Sequence, residues 1–151
     1  MRLLPALLSL NLSLSLSLSL VAASGVSHAQ PAPTSLRDER IIIFFAWDQP
    51  IVDGDAAARL DALAATLERS PGVGLELAGH ADRSGPAGPN VRAGRKRAEA
   101  VRAYLAARGI AGAAMTVVSH GETRPLIPTA DGVREPQNRR VEITVTRAPG
   151  S

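Results

Sequence analysis

Cysteine is absent from the 151-residue sequence, and aromatic residues make up only 3% of it. Without cysteine the chain can form no disulfide, and we expect no lipoprotein-type anchor, which needs a modified N-terminal cysteine. So few aromatic side chains disfavour a surface that stacks nucleic-acid bases. The net charge of +3, from 17 basic and 14 acidic residues, is also too small to require a polyanionic partner. We therefore expect neither a disulfide-stapled scaffold nor a nucleic-acid-binding protein.

A long apolar segment near the N terminus is typical of a secretory signal peptide. Met1-Arg2 precedes the run 3–21, which contains a repeating Leu-Ser pattern, and small residues follow up to Ala29. We predict that residues 1–29 are a signal peptide, cleaved before Gln30, and that the protein is exported to the periplasm. The alternative is an uncleaved leader that anchors the protein in the inner membrane, because about 18 apolar or weakly polar residues can just span a bilayer.

The remainder of the sequence has room for one ordinary domain. Residues 30–40 begin with a polar, proline-bearing segment, and we expect them to form a flexible lead. Residues 41–147 are predicted to form the domain, and residues 148–151 a short tail. We therefore look for a single functional site.

Apolar periodicity predicts four strands and two helices in this domain. The β-branched and aromatic run 41–45 is typical of a buried central strand. A first helix is predicted after the capping carboxylates of 53–55, and a second over 95–108 with Gly94 as its N-cap. The other strands are predicted at 73–78, 115–119 and 141–145. The order β-α-β-α-β-β predicts an α+β fold with both helices packed on one face of a four-stranded sheet.

Asp82 and Arg97 are the candidate site residues. Asp82 directly follows the second predicted strand, and Arg97 falls in the first turn of the second predicted helix, across an aperiodic stretch at 80–93 that is read as a loop. A helix N-terminus is partly positive, so an arginine there calls for a compensating anion. A ligand carboxylate paired with Arg97, beside an ammonium accepted by Asp82, would describe a pocket for a zwitterion.

The spacing of several motifs resembles the signature of the OmpA C-terminal domain family. The motifs are Gly79-His80-Ala81-Asp82-Arg83-Ser84-Gly85, then Asn90, then Arg97-Ala98 with Val101, and finally Asn138-Arg139-Arg140-Val141-Glu142-Ile143. This resemblance spans about residues 41–146 and implies the OmpA-like α/β sandwich, built on a mixed sheet. It also implies noncovalent peptidoglycan binding at the cell wall or outer membrane, without catalysis, cofactor or metal. The family's aspartate and arginine, which grip the diaminopimelate of the stem peptide, fall on Asp82 and Arg97.

Three further residues are predicted to contact the ligand. Asn90 belongs to the matched motif, although bracing of a loop by its amide is an equal alternative. Asp48 follows Ala46 and Trp47 where the family often has an aspartate directly after its first-strand aromatics, and we expect it to substitute. Strand alternation sends one member of the Arg139–Arg140 pair towards the site, and we favour Arg140.

Two other functions remain as alternatives. The chain departs from the family pattern at Ala81, where threonine is common, and at Ala93-Gly94, where Leu-Ser is common. These departures are compatible with a periplasmic protein-interaction module, with an envelope partner or as a homodimer, that does not bind the wall. The second alternative is a metal-dependent hydrolase. The four side chains that could hold the metal are His80, Asp82, His120 and Glu122, in two pairs of a histidine and a carboxylate two residues apart.

Overall fold

The computed structural model describes residues 40–70 and 72–147. The predicted signal peptide, its cleavage position, the lead as far as residue 39 and the tail at 148–151 lie outside these residues. No helix in the described part of the chain is long and apolar enough to cross a membrane.

Four strands and two helices follow one another in the predicted order. They are β1 (Arg40–Phe44), α1 (Gly54–Leu67), β2 (Val73–His80), α2 (Ala87–Ala106), β3 (Met115–Gly121) and β4 (Arg140–Arg147). Two short 3-10 turns, Gly112–Ala114 and Pro136–Asn138, precede β3 and β4. The strands lie in the order β1-β4-β2-β3, with β4 antiparallel to both neighbours and β2 parallel to β3. This confirms the mixed four-stranded sheet.

Both helices bury their apolar stripes against one face of the sheet, which confirms the predicted layering. The buried helix residues are Leu60, Leu63, Ala64 and Leu67 from α1, and Ala98, Val101 and Leu105 from α2. They meet Ile43, Leu75, Leu77, Val141, Ile143 and Val145 of the strands. Asp53 caps α1, as predicted, by accepting a hydrogen bond from the backbone N–H of Ala56 at 2.9 Å. Full burial of each large aliphatic side chain contributes about 1.5–3 kcal/mol, so this layer holds the fold together.

The prediction that the first strand is central is wrong, because β1 lies at an edge of the sheet and pairs with β4 alone. It also begins at Arg40, one residue earlier than expected. Ile43 is 1% exposed while Phe44 is 47% exposed, so only one side of the strand is covered well. A short apolar run indicates burial but does not say how many neighbouring strands it has.

The second helix begins at Ala87, eight residues before the predicted start, so the second half of the predicted loop is helical. Pro86 is the N-cap and Pro89 lies in the first turn, where a missing N–H costs no intrahelical hydrogen bond. Arg97 is therefore the eleventh residue of α2, and the electrostatic argument from the helix N-terminus does not apply to it. The prolines and glycine that looked like loop residues are compatible with a helix start.

Gly94 lies inside α2 and is not its N-cap. A Cβ atom on Gly94 would lie 2.5 Å from the Ser119 hydroxyl oxygen and 2.8 Å from the carbonyl oxygen of Gly79. A Cβ on Gly79 would lie 1.9 Å from the carbonyl oxygen of Gly94. The helix backbone thus rests directly on β2. This contact fixes Arg97, one turn further along α2, above the end of that strand.

Candidate functional site

A cavity of about 400 Å³ opens where β2 ends, between the turn after β1 and the N-terminal half of α2. Four of the five predicted ligand contacts line it: Asp48, Asp82, Asn90 and Arg97. The other lining residues are Trp47, Gln49, Pro50, Ala81, Ser84, Gly85, Pro89, Arg92, Ala93 and Lys96. Residues from three separate segments therefore share one concave surface.

Asp82 is held by four hydrogen bonds from within the protein and is 2% exposed. Its Oδ1 accepts from the hydroxyl and backbone N–H of Ser84, at 2.5 and 3.4 Å. Its Oδ2 accepts from Arg139 Nη1 at 3.0 Å and from the backbone N–H of Glu135 at 3.3 Å. Burial alone would raise the pKa of Asp82, but the bonds from Ser84 and Arg139 hold it below its usual range. Asp82 is consequently a fixed, ionised carboxylate.

Arg97 is buried, at 6% exposure, and lacks a carboxylate partner. Its Nη1 donates a hydrogen bond to the carbonyl oxygen of His80 at 3.0 Å, and it forms no ion pair with any described residue. Burial and then the charge of Arg139 lower the pKa of Arg97, whereas Asp82 and Asp48 act in the opposite direction. A buried cation that borders a cavity and has no bonded anion is an expected position for an anionic ligand group.

Asp48 lies in a strained turn at the mouth of the cavity. Its φ of 51° places it in the left-handed region, which aspartate tolerates better than most residues. The carboxylate is exposed, forms no hydrogen bond with a described residue, and is close enough to Arg97 to affect the pKa of that arginine. Asp48 therefore offers oxygens that are free to bind a ligand.

Asn90 braces the connection between β2 and α2. Its Nδ2 donates to the carbonyl oxygen of Gly85 at 3.0 Å and to a carboxylate oxygen of Glu122. The side chain is 8% exposed and lines the cavity from the first turn of α2. These bonds agree with the bracing alternative, and they keep the cavity wall in place.

The prediction that Arg140 faces this site is wrong, and Arg139 is the member of the pair that does. Arg139 pairs with Asp82, whereas Arg140 lies on the opposite face of the sheet. There, Nε and Nη2 of Arg140 donate to Glu142 Oε1 at 2.8 and 2.6 Å. The odd-numbered residues of β4 form its apolar, helix-facing side, so the phase of the alternation could have identified Arg139.

Sequence reasoning also missed Trp47, Arg92 and Lys96. Trp47 is 45% exposed at the rim of the cavity, with the guanidinium of Arg134 at 4.2 Å from its ring centroid. Arg92 and Lys96 are four residues apart, which places them on one face of α2. Their shared face could have been recognised only with the true start of that helix.

The four residues of the metal-site hypothesis do not converge. Asp82 pairs with Arg139, and Glu122 accepts from Asn90. The rings of His80 and His120 lie 5.2 Å apart and line a second cavity, on the open face of the sheet. Among residues 40–70 and 72–147, no group of three or more histidines, cysteines or carboxylates is placed to hold a metal ion. The geometry thus contradicts a metal centre built from these side chains.

Relatives of this chain have names that refer to the cell wall. The chain is 38% identical over 109 residues to a peptidoglycan-associated lipoprotein of Rhizobium meliloti (strain 1021), covering 72% of this chain and 61% of the relative. It is 33% identical over 101 residues to a peptidoglycan-associated lipoprotein of Pasteurella multocida (strain Pm70), covering 67% of each. The chain thus spans about 61% of the length of the Rhizobium relative.

Solved structures and a family model agree with this similarity. The peptidoglycan-associated lipoprotein of Burkholderia pseudomallei superimposes with a TM-score of 0.67 and 32% identity, over 76% of this chain and 96% of that one. The cell wall anchor of the T6SS from Pseudomonas aeruginosa superimposes with a TM-score of 0.57 and 27% identity, over 72% and 80% of the two chains. The model of the OmpA family matches residues 44–139. The chain therefore belongs to the OmpA family.

Proposed function

We propose that this protein binds peptidoglycan noncovalently in the cell envelope and holds the diaminopimelate of a stem peptide in the cavity formed by Asp82 and Arg97. The observation that carries the proposal is the state of Arg97. It is buried, it has no carboxylate partner among the described residues, and it borders a cavity that is large enough for a small ligand. The names of the relatives, which refer to peptidoglycan and the cell wall, support the choice of ligand.

The far end of a diaminopimelate side chain carries an ammonium and a carboxylate on one carbon. The carboxylate pairs with Arg97, whose planar guanidinium suits two parallel hydrogen bonds. The ammonium lies towards Asp82 and Asp48. Because protein donors already occupy both oxygens of Asp82, that residue supplies mainly negative potential, and Asp48 supplies free acceptor oxygens.

Ion pairing and hydrogen bonds account for all of this binding, so the proposal needs no bond cleavage, cofactor or metal. An exported chain with such a site would act as an anchor or scaffold at the wall, in the periplasm and beside the outer membrane. An uncleaved leader would place the same domain at the inner membrane.

The test is sedimentation of the purified protein with purified peptidoglycan. We compare wild type with Arg97→Ala and Asp82→Asn, and with Arg95→Ala as a control on the same helix. Arg95 pairs with Glu99 at 4.0 Å and does not line the cavity. Losing one partner of a charge-assisted pair in a partly desolvated pocket costs about 2–5 kcal/mol, which is enough to keep both site variants in the supernatant. Wild type and Arg95→Ala should sediment.

Free amino acids identify the group that is recognised. Diaminopimelate should release the protein from the wall, whereas lysine blocked as its Nα-acetyl amide, which keeps the side-chain amine but has no carboxylate, should not. Equal sedimentation of all variants would contradict the proposed site. If wild type stays in the supernatant, the wall-binding proposal is wrong, and the result favours a periplasmic protein-interaction module.

A further inference from the structure

Two cations of the cavity have no partner in the proposed complex. Arg92 and Lys96 line the cavity beside Arg97, and both are exposed. Neither forms an ion pair with any described residue. Their neighbour Arg95 differs in both respects, since it pairs with Glu99 and lies outside the cavity. The two unpaired cations are thus specific to the face of α2 that borders the site.

The charges of the cavity do not match a zwitterion. The lining residues include three cations, Arg92, Lys96 and Arg97, and two carboxylates, Asp48 and Asp82. Arg139 adds a fourth cation through its bond to Asp82. The ammonium and carboxylate at the far end of diaminopimelate cancel, so this ligand group leaves the positive surplus unchanged. A cavity whose charged groups leave a positive surplus favours a ligand with a net negative charge.

The cavity also has more room than one amino-acid side chain needs. Its volume of about 400 Å³ lies within the range of pockets that hold larger small molecules. The cavity therefore has room for neighbouring parts of the same stem peptide, and Arg92 and Lys96 are among the residues that line it.

We infer that Arg92 and Lys96 bind a second carboxylate of the same stem peptide. This inference rests on the proposed function and specifies the ligand as an acidic peptide. Two groups can supply the carboxylate. One is the main-chain carboxyl of diaminopimelate where the stem peptide ends there, and the other is the α-carboxyl of the γ-linked D-glutamate that precedes it. Amidation of the relevant group removes the charge and leaves the zwitterion intact.

Four synthetic tripeptides, L-Ala-γ-D-Glu-diaminopimelate and its amides, separate these sources. The parent peptide keeps both carboxylates, two derivatives are amidated at one of them, and the fourth is amidated at both. Affinities are measured by titration calorimetry with the purified protein. Wild type should bind the parent about tenfold more tightly than the doubly amidated peptide, since each exposed pair contributes only a fraction of a charge-assisted bond. The singly amidated peptide that loses affinity identifies the carboxylate.

A double variant, Arg92→Gln/Lys96→Gln, should bind the parent as weakly as wild type binds the doubly amidated peptide. The matched control, Arg95→Gln/Arg102→Gln, removes the same charge from α2 outside the cavity and should keep the tenfold preference. Equal binding of all four peptides by wild type would overturn the inference and leave the proposed function standing. No binding of any peptide would overturn both.

Discussion

Arg139 and Arg140 are adjacent in sequence and buried to similar extents, yet they belong to opposite kinds of cluster. Arg139 forms an ion pair with Asp82, and the charge of the same carboxylate also acts on Arg97. This cluster borders the ligand cavity. Arg140 donates to Glu142 from two nitrogens, and the same carboxylate also contacts the largely exposed Arg40 at 3.3 Å and His80 at 3.9 Å. In the first cluster Arg97 has no carboxylate bonded to it, whereas in the second Arg140 is bonded to Glu142. Burial of charged groups is therefore common to the candidate binding site and to a structural pair, and the presence or absence of a bonded carboxylate at the buried arginine tells them apart.

The largest expected effect comes from Arg97→Ala. Binding to the stem peptide should fall by at least about a hundredfold, because a charge-assisted pair in a partly desolvated pocket is lost. Stability should stay the same or increase, since the variant removes a buried cation without a bonded counter-ion. Titration calorimetry and thermal unfolding measure the two quantities separately. A loss of several kcal/mol in the free energy of unfolding would place Arg97 with the structural arginines instead.

Arg140→Ala should show the reverse pattern. Removing one partner of a buried pair leaves Glu142 poorly compensated, and we expect the free energy of unfolding to fall by about 3 kcal/mol with ligand affinity unchanged. Chemical denaturation measures the stability. The double variant Arg140→Met/Glu142→Leu, which removes both charges, should recover most of the loss. A drop in ligand affinity in Arg140→Ala would mean that the two clusters are coupled.

Acid should lower the free energy of unfolding through His80, which lies on the open face of the sheet. Its burial, and then the charge of Arg140, lower the pKa of His80 from 6.5 to about 4. The unfolded chain therefore binds this proton at a higher pH than the folded chain does. Stability that is present above pH 6.5 is lost as the pH falls towards 4, by about 2–3 kcal/mol. Chemical denaturation at several pH values across this interval measures the free energy of unfolding, which should change less with pH in His80→Gln than in wild type. Identical slopes for the two proteins would contradict the lowered pKa.

The smallest of these effects is expected at the contact between α2 and β2. Gly94→Ala adds a Cβ 2.5 Å from the Ser119 oxygen, and the resulting overpacking should cost about 1–2 kcal/mol after the better helix propensity of alanine is included. Because α2 carries Arg97, affinity should fall together with stability. The control is Gly88→Ala, whose Cβ would meet only Arg92 Nη1 at 3.7 Å. Equal stability of the two alanine variants would argue against the close approach.

Much of this fold could be predicted because its core follows simple periods. The spacing from Leu60 to Leu67 predicted α1, and the alternation of Val141, Ile143 and Val145 predicted one buried face of β4. The edge position of β1 could not be predicted in this way, since sheet order depends on contacts far apart in sequence. The start of α2 was missed because Pro86 and Pro89 look the same in a loop and in a first helical turn.

The site was predicted less completely than the fold. The motif singled out Asp82 and Arg97, which line one cavity, although the first argument for Arg97 assumed a helix start that the structure contradicts. Arg92 and Lys96 form a pair only when α2 is known to begin at Ala87. Choosing between Arg139 and Arg140 requires knowing which alternate residues of β4 face the helices. The apolar residues of that strand already show this in the sequence.

The hydrogen bonds of Asp82 tie ligand recognition to the order in which the chain is made. Two of its four donors, Glu135 and Arg139, lie 53 and 57 residues further along the sequence. A nascent or truncated chain that ends before Glu135 has the aspartate but lacks two of the four donors that orient it. Under the proposed function, binding to the wall therefore requires that the segment leading into β4 has been synthesised and β4 has been added to the centre of the sheet.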